Sequence, residues 1–302
     1  MPARVLPLTA PLDVRGTLRG AGRAPAALVR ADGVWRATHT PAGPATVVVD
    51  EVAAGVRVRS WGPGAGWALE HAEKLVGLAD VTAGEFFGRV ARRHPLVADL
   101  ARRAPGLRVA TTGAVVERLT TAVLEQKVVS ADARASYRRL VWRYGSPAPG
   151  PGAAVGLRLP PRPDVLARIP SHAFRPLGVE AKRADTVRRV AANAARMEEC
   201  TSLPLVEAYR CLQVLPGVGP WTAAEVAATA LGDPDAVSVG DYHLPNLVAW
   251  ALAGEPRADD ARMLELLEPF RGHRGRVIAL LEGAGLSAPR YGPRMPRARA
   301  LV

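Results

Sequence analysis

The stretch Leu215-Pro-Gly-Val-Gly-Pro-Trp-Thr222 constrains this chain more than any other. Val206, Tyr209 and Leu212 sit at helical spacing, which predicts a helix running into Leu215. Pro216 and Gly217 stop it, and Pro220 opens a second helix where its missing N–H costs nothing. Glycines at 217 and 219 let the intervening turn bend tightly and approach a partner closely. The N–H groups of the turn and of the second helix's start are then expected to point outward, all unpaired, as a site for one phosphate. Farther on, Val237-Ser-Val-Gly-Asp-Tyr-His-Leu244 leads into a helix with Leu244, Leu247, Val248 and Ala251 on its buried side. Asp241 stands where that helix's N-cap is expected.

Leu215–Gly219, followed at this spacing by Gly240-Asp241-Tyr242, resembles the HhH-GPD superfamily of DNA base-excision glycosylases, and within it the AlkA-like branch. The resemblance implies that Leu215, Gly217, Val218, Gly219 and Thr222 grip the DNA backbone. It implies that Asp241 is catalytic, facing the sugar of an extruded nucleotide, where a carboxylate stabilises the positive charge that grows as the C1′–N bond breaks. Members that also cut the strand carry a lysine at position 221 to form a Schiff base. Trp221 there implies a monofunctional enzyme. Its indole is suited to stacking on a cationic base and equally to packing between helices. Tyr242 and Glu225 complete the implied base pocket. Glu225 replaces an aromatic and serves either to recognise a base edge or as an exposed helix residue.

Leu124-Glu-Gln-Lys-Val-Val-Ser130 resembles a second motif of the superfamily, which inserts a side chain where the nucleotide has left. Gln126 fits the motif. Lys127 occupies the inserted position and departs from the usual apolar or amide residue. It can serve as a phosphate contact, or as a charge at a helix C-terminus. Pro269-Phe-Arg-Gly-His-Arg-Gly-Arg276 resembles the closing segment, with Arg271 and two further arginines at a helix start as phosphate contacts.

The rest of the chain places these motifs. Up to about residue 90 it reads as mostly β, with a hairpin at Asp32-Gly33, alternation over Val56–Trp61 and a short helix over Glu70–Leu78. This part resembles, weakly, the N-terminal domain of AlkA-like enzymes. Beyond it the pattern is helical: a helix to Val129, a second capped by Ser130 and ended by Gly145, and a third from Lys182 to Met197 with its arginines on a solvated face. Residues 146–163 read as a Pro/Gly-rich loop. The expected fold class is α+β: a small antiparallel-sheet α/β domain (1–90), then an all-α helix-hairpin-helix glycosylase core (91–285). A basic tail without fixed structure (286–302) ends the chain.

The net charge of +12 attracts polyanions, nucleic acid first. Cys200 and Cys211 form no CxxC pair and no Cys/His cluster, which argues against structural zinc or a four-cysteine iron–sulfur cluster. The N-terminus lacks a signal-peptide core, and no apolar run is long enough to span a membrane, so the chain reads as soluble and cytoplasmic. The expected partner is double-stranded DNA carrying a damaged base, bound by a monomer, with no membrane. No metal or cofactor is expected, apart from a monovalent cation at the hairpin. The expected activity is hydrolytic release of an N-alkylated purine. A glycosylase for hypoxanthine, uracil or an oxidised purine, and a non-catalytic DNA-binding protein, are the competing readings.

Overall fold

The computed structural model describes residues 2–289, so the expected tail lies outside the described residues from position 290 onward. Strands β1 (Ala3–Leu6), β2 (Ala27–Arg30), β3 (Gly33–Thr40), β4 (Gly43–Val52) and β5 (Gly55–Trp61) form one antiparallel sheet in the order β1-β5-β4-β3-β2. The expected Asp32-Gly33 hairpin joins β2 to β3, and Val49 of β4 pairs with Val34 on one side and Val58 on the other.

The run Ala45–Val49 in β4 is buried continuously, so both faces of the sheet need a cover. On one face, Val47 and Val49 pack with Ala68, Ala72 and Leu75. These belong to short helices at Ala65–Glu70 and Ala72–Leu75, the second within the expected short helix and the first ahead of it. On the other face, Trp35 and Val48 pack with Ala148, Leu157 and Leu159. The Pro/Gly-rich stretch is therefore no free loop. Ser146–Pro147 and Arg158–Leu159 pair as a small ribbon, and their segment closes the sheet's second face.

Helices make up the rest. One core gathers Val115, Val116 and Leu119 with Leu212, Leu215, Val218 and Val226 around the hairpin. Another gathers Leu244 and Val248 with Met263, Leu267, Val277 and Leu281. Several helix ends differ from expectation. The Val115–Glu125 helix stops at Glu125 rather than Val129, because Gln126 is extended and Lys127 adopts φ 54°. Ser130 is the first residue of the Ser130–Tyr144 helix and makes no side-chain cap. The expected Lys182–Met197 helix breaks at Asn193 into Ala181–Ala192 and Ala194–Glu198.

Carboxylates tie the sheet to the helices. Glu117 accepts from Arg36 (3.0 Å), Thr38 Oγ1 (2.8 Å) and the His39 N–H (2.9 Å). Asp80 meets Arg276 of the Arg274–Gly283 helix at 2.7 Å. Among the described residues, no helix is long and apolar enough to cross a membrane.

Candidate active site

The Leu205–Gln213 helix ends two residues before Leu215, and Pro220 begins the Pro220–Val226 helix at its first position, as its missing N–H favours. Gly217, at φ +96°, turns the chain, and a Cβ there would stand 2.4 Å from Thr186 Oγ1. The turn is thus glycine-dependent for both conformation and space. Its N–H groups are not all free: that of Val218 donates to Leu215 O at 3.0 Å. Leu215 and Val218 are 6% and 5% exposed and point into the core, so any DNA contact they make is through the backbone. Gly219 has open space around it.

Two expected DNA contacts prove to be internal struts. Gln126 Nε2 donates to Gly217 O (2.9 Å) and to Thr222 Oγ1 (2.8 Å), and Thr222 is buried. A carbonyl accepts only, which fixes the amide's orientation. Gln126 and Thr222 therefore bind the 124–130 turn to the hairpin instead of presenting themselves outward. Arg183, expected on a solvated face, is buried and donates to Leu124 O at 2.9 Å, holding the same turn from below. What remains outward is Lys127. It is exposed, and it is the non-glycine residue with positive φ among the described residues. Such a conformation costs a β-carbon-bearing residue about 1 kcal/mol or more and is found where the surroundings impose it.

The Pro216 carbonyl accepts from Arg189 Nη1 at 2.6 Å, so a guanidinium brings positive charge to the turn. Elsewhere among the described residues, no group of three or more His, Cys, Asp and Glu is placed to hold a metal ion. Cys200 and Cys211 both face the Arg196 carbonyl, and burial pushes the Cys200 thiol up to about 12, as suits a structural thiol.

Asp241 is half-buried at the head of the Leu244–Ala253 helix. Its Oδ1 accepts from the N–H groups of His243 (2.7 Å) and Leu244 (2.9 Å), so the expected capping role is present. Its Oδ2 accepts from Trp221 Nε1 at 3.1 Å. Trp221 is therefore tied to the site by its indole N–H, a bond in the ring plane that leaves the π-faces unused. It joins the hairpin's second helix to the carboxylate. Tyr242 departs from expectation: it is 82% exposed, with its ring edge-on to His243, and forms no pocket wall.

Glu225 is not an exposed helix residue. It lies one turn beyond Trp221 on the same helix face. It forms a short ion pair with Arg118, and Ser238 Oγ donates to it at 2.5 Å. The Ser238 carbonyl in turn accepts from the Asp241 N–H at 3.2 Å. Arg118 also meets Glu125 at 3.0 Å, just before the 124–130 turn. Burial disfavours the charge on Arg118, but Glu225 and Glu125 outweigh it and raise its pKa. Sequence reasoning missed this node. A signal was present: Arg118 sits on the apolar face formed by Val115, Val116, Leu119, Ala122 and Val123, where an unpaired charge is not tolerated.

Glu282, in the last turn of the Arg274–Gly283 helix, is exposed. At the start of that helix, Arg274 meets Asp235 (2.5 Å) and Arg276, 1% exposed, meets Asp80, both inside the protein, whereas Arg271 stays exposed in a surface pair with Glu268 (2.7 Å).

No family model matches the chain. A 144-residue stretch, 47% of the chain, is 33% identical to the probable bifunctional transcriptional activator/DNA repair enzyme AlkA of Mycobacterium tuberculosis and spans 28% of that protein. Among solved structures, the 3-methyladenine DNA-glycosylase from Archaeoglobus fulgidus superposes with a TM-score of 0.77 at 17% identity, over 93% of this chain and 98% of that one. The Clostridium acetobutylicum 8-oxoguanine glycosylase/lyase, bound to double-stranded DNA, gives 0.69 at 15% identity, over 89% and 90%. The resemblance to HhH-GPD glycosylases and to their AlkA-like branch thus holds in sequence and in fold.

Proposed function

We propose that this chain, with the fold of the HhH-GPD glycosylases and an AlkA-like sequence, is a base-excision DNA glycosylase. It hydrolyses the N-glycosidic bond of a damaged nucleotide extruded from duplex DNA, with N-alkylated purines as its main substrates, and leaves an abasic site.

The observation that carries this reading is Asp241. Three hydrogen bonds hold its carboxylate at 2.7–3.1 Å beside the hairpin. A carboxylate fixed in advance costs no reorganisation when positive charge develops on a sugar, and it can orient the attacking water. The hairpin's backbone and Lys127 supply the grip on phosphate, and the basic balance of the chain draws DNA to them. Position 221 carries an indole, which cannot form a Schiff base, so strand cleavage is not part of the reaction. A cationic alkylated purine leaves as a neutral base and needs little further help.

The test is base release from duplex oligonucleotides carrying single defined lesions, with and without alkali. Wild type releases an alkylated purine, strand breaks form only after alkali, and Asp241→Asn lowers release by about 10²–10⁴-fold while still binding DNA. Equal release by both proteins would sink the assignment of Asp241. Binding with no release from any lesion would favour a non-catalytic DNA-binding protein.

A further inference from the structure

Asp241 is held by its own turn and by the hairpin, and the two kinds of contact fix different things. The N–H groups of His243 and Leu244 belong to the helix that Asp241 caps, so they set the carboxylate against that helix alone. Contacts from the Pro220–Val226 helix set it against the hairpin. Trp221 Nε1 reaches Asp241 Oδ2 at 3.1 Å, and one turn farther along Glu225 accepts from Ser238 Oγ at 2.5 Å. We infer that Glu225 is a positioning residue for Asp241: braced by Arg118, it fastens Ser238 and so fixes the turn that carries the catalytic carboxylate. The inference rests on the reading of the chain as a glycosylase.

Glu225 is itself firmly held. Its Oε2 takes a short contact from Arg118 Nη2, and its backbone carbonyl accepts from Arg118 Nε at 3.1 Å. Arg118 is 9% exposed, and its Nη1 donates to Thr121 Oγ1 (2.8 Å) and to Glu125 (3.0 Å). A guanidinium is a rigid planar fork of donors, so neighbours bound to several of its N–H groups are fixed relative to one another. With Oε2 on Arg118 and Oε1 on Ser238, the Glu225 carboxylate is engaged within the protein. It acts on the site through the serine and not on a base edge. Glu125 ends the helix that leads into the Lys127 turn, so one guanidinium braces both that turn and the turn of Asp241.

The segment that Ser238 anchors has little else to hold it. Gly240, at φ +90° and with open space where a Cβ would stand, lies between Ser238 and Asp241 and is a point of wide backbone freedom. Within the turn, the Asp241 N–H reaches the Ser238 carbonyl at 3.2 Å. The Gly240 N–H donates to Asp260 Oδ2 at 3.0 Å, from the start of the Asp260–Leu267 helix. A hydroxyl bound to an ionised carboxylate makes a bond about twice as strong as a neutral one. The Glu225–Ser238 contact is therefore the firm one.

A carboxylate stabilises developing charge only as well as its place is fixed beforehand. Displacement by about 1 Å costs on the order of 100-fold in rate. Ser238→Ala removes the hydroxyl and leaves the Arg118–Glu225 pair intact, so it loosens the turn without stranding a buried charge.

The experiment follows single-turnover release of 7-methylguanine from a duplex as protein concentration is raised. Ser238→Ala should lower the rate at saturation about tenfold, with the half-saturating concentration within about twofold of wild type. Ser238→Thr keeps the hydroxyl and should retain most of the rate. Added to Asp241→Asn, Ser238→Ala should change the residual rate by less than about twofold, because a group that acts through Asp241 has nothing left to position. An unchanged saturating rate in Ser238→Ala overturns the inference. So does a loss confined to the half-saturating concentration, or one of equal size in the Asp241→Asn background. A wild type that releases no 7-methylguanine overturns instead the alkylated-purine reading on which the inference rests.

Discussion

The 124–130 turn and the 269–276 turn each bring basic side chains to a helix boundary, yet they face opposite ways. In the first, Gln126 and Arg183 are drawn inward to hold the backbone, and Lys127 is left exposed at φ 54°. In the second, every arginine meets a carboxylate: Arg271 meets Glu268, Arg274 meets Asp235, and Arg276 meets Asp80. Asp235 also accepts from the N–H groups of Gly272 and Arg274, so it fixes the turn itself. An arginine at a helix start is a phosphate contact only when no carboxylate folds onto it. Here Asp235 and Asp80 come from other parts of the chain, whereas Glu268 stands three residues before Arg271. The first turn leaves Lys127 exposed, and in the second Arg274 and Arg276 bind the final helix to the rest of the molecule.

The comparison breaks most visibly at Asp80. Asp80→Ala strands the buried Arg276 and should cost about 3–5 kcal/mol in urea denaturation, with DNA affinity of the folded protein preserved. A loss below about 1 kcal/mol would mean the pair behaves as a surface contact. The pH dependence sharpens this. Burial by itself would raise the Asp80 carboxyl, but Arg276, the Val109 N–H and Thr82 hold it below its ordinary value. A depressed folded-state pKa means support that is present above the unfolded value of about 3.9 and is lost as pH falls through the folded value. The stability gap between wild type and Asp80→Asn should therefore narrow as the measurement moves from about pH 6 toward pH 3.

Arg274→Ala should cost about 1–3 kcal/mol by thermal denaturation and change DNA affinity less than twofold, because its guanidinium is already engaged by Asp235. A large affinity loss would place this turn on the DNA after all. Gln126→Leu removes the strut to Gly217 and Thr222 and should weaken duplex binding about tenfold, roughly 1.4 kcal/mol. Lys127→Ala should lower the slope of log affinity against log salt by about one. Lys127→Gly relieves the positive φ and should raise the unfolding free energy by about 0.5–1 kcal/mol while weakening DNA binding.

Much of this was legible locally. Glycine and proline at 216–220 dictate a turn between helices whatever surrounds them, because their limits are those of a single residue's backbone. The alternation over Val56–Trp61 and the apolar faces of the helices likewise survived folding. Asp241 as cap of its helix depends only on the residues that follow it. The cover formed by residues 146–159 escaped notice because a stretch rich in proline and glycine carries no period, and its partner is a sheet strand about a hundred positions earlier.

Side-chain direction is where local reasoning ended. The chain by itself determined the hairpin, the sheet, the helical core and the aspartate that follows the hairpin. Only the tertiary structure decided which polar groups look outward. Gln126 and Thr222 turned inward because each met the other across 96 residues, and Glu225 because Arg118 stood opposite it. A backbone turn is set by neighbouring dihedrals, whereas the fate of a charge is set by whichever partner the fold brings within reach.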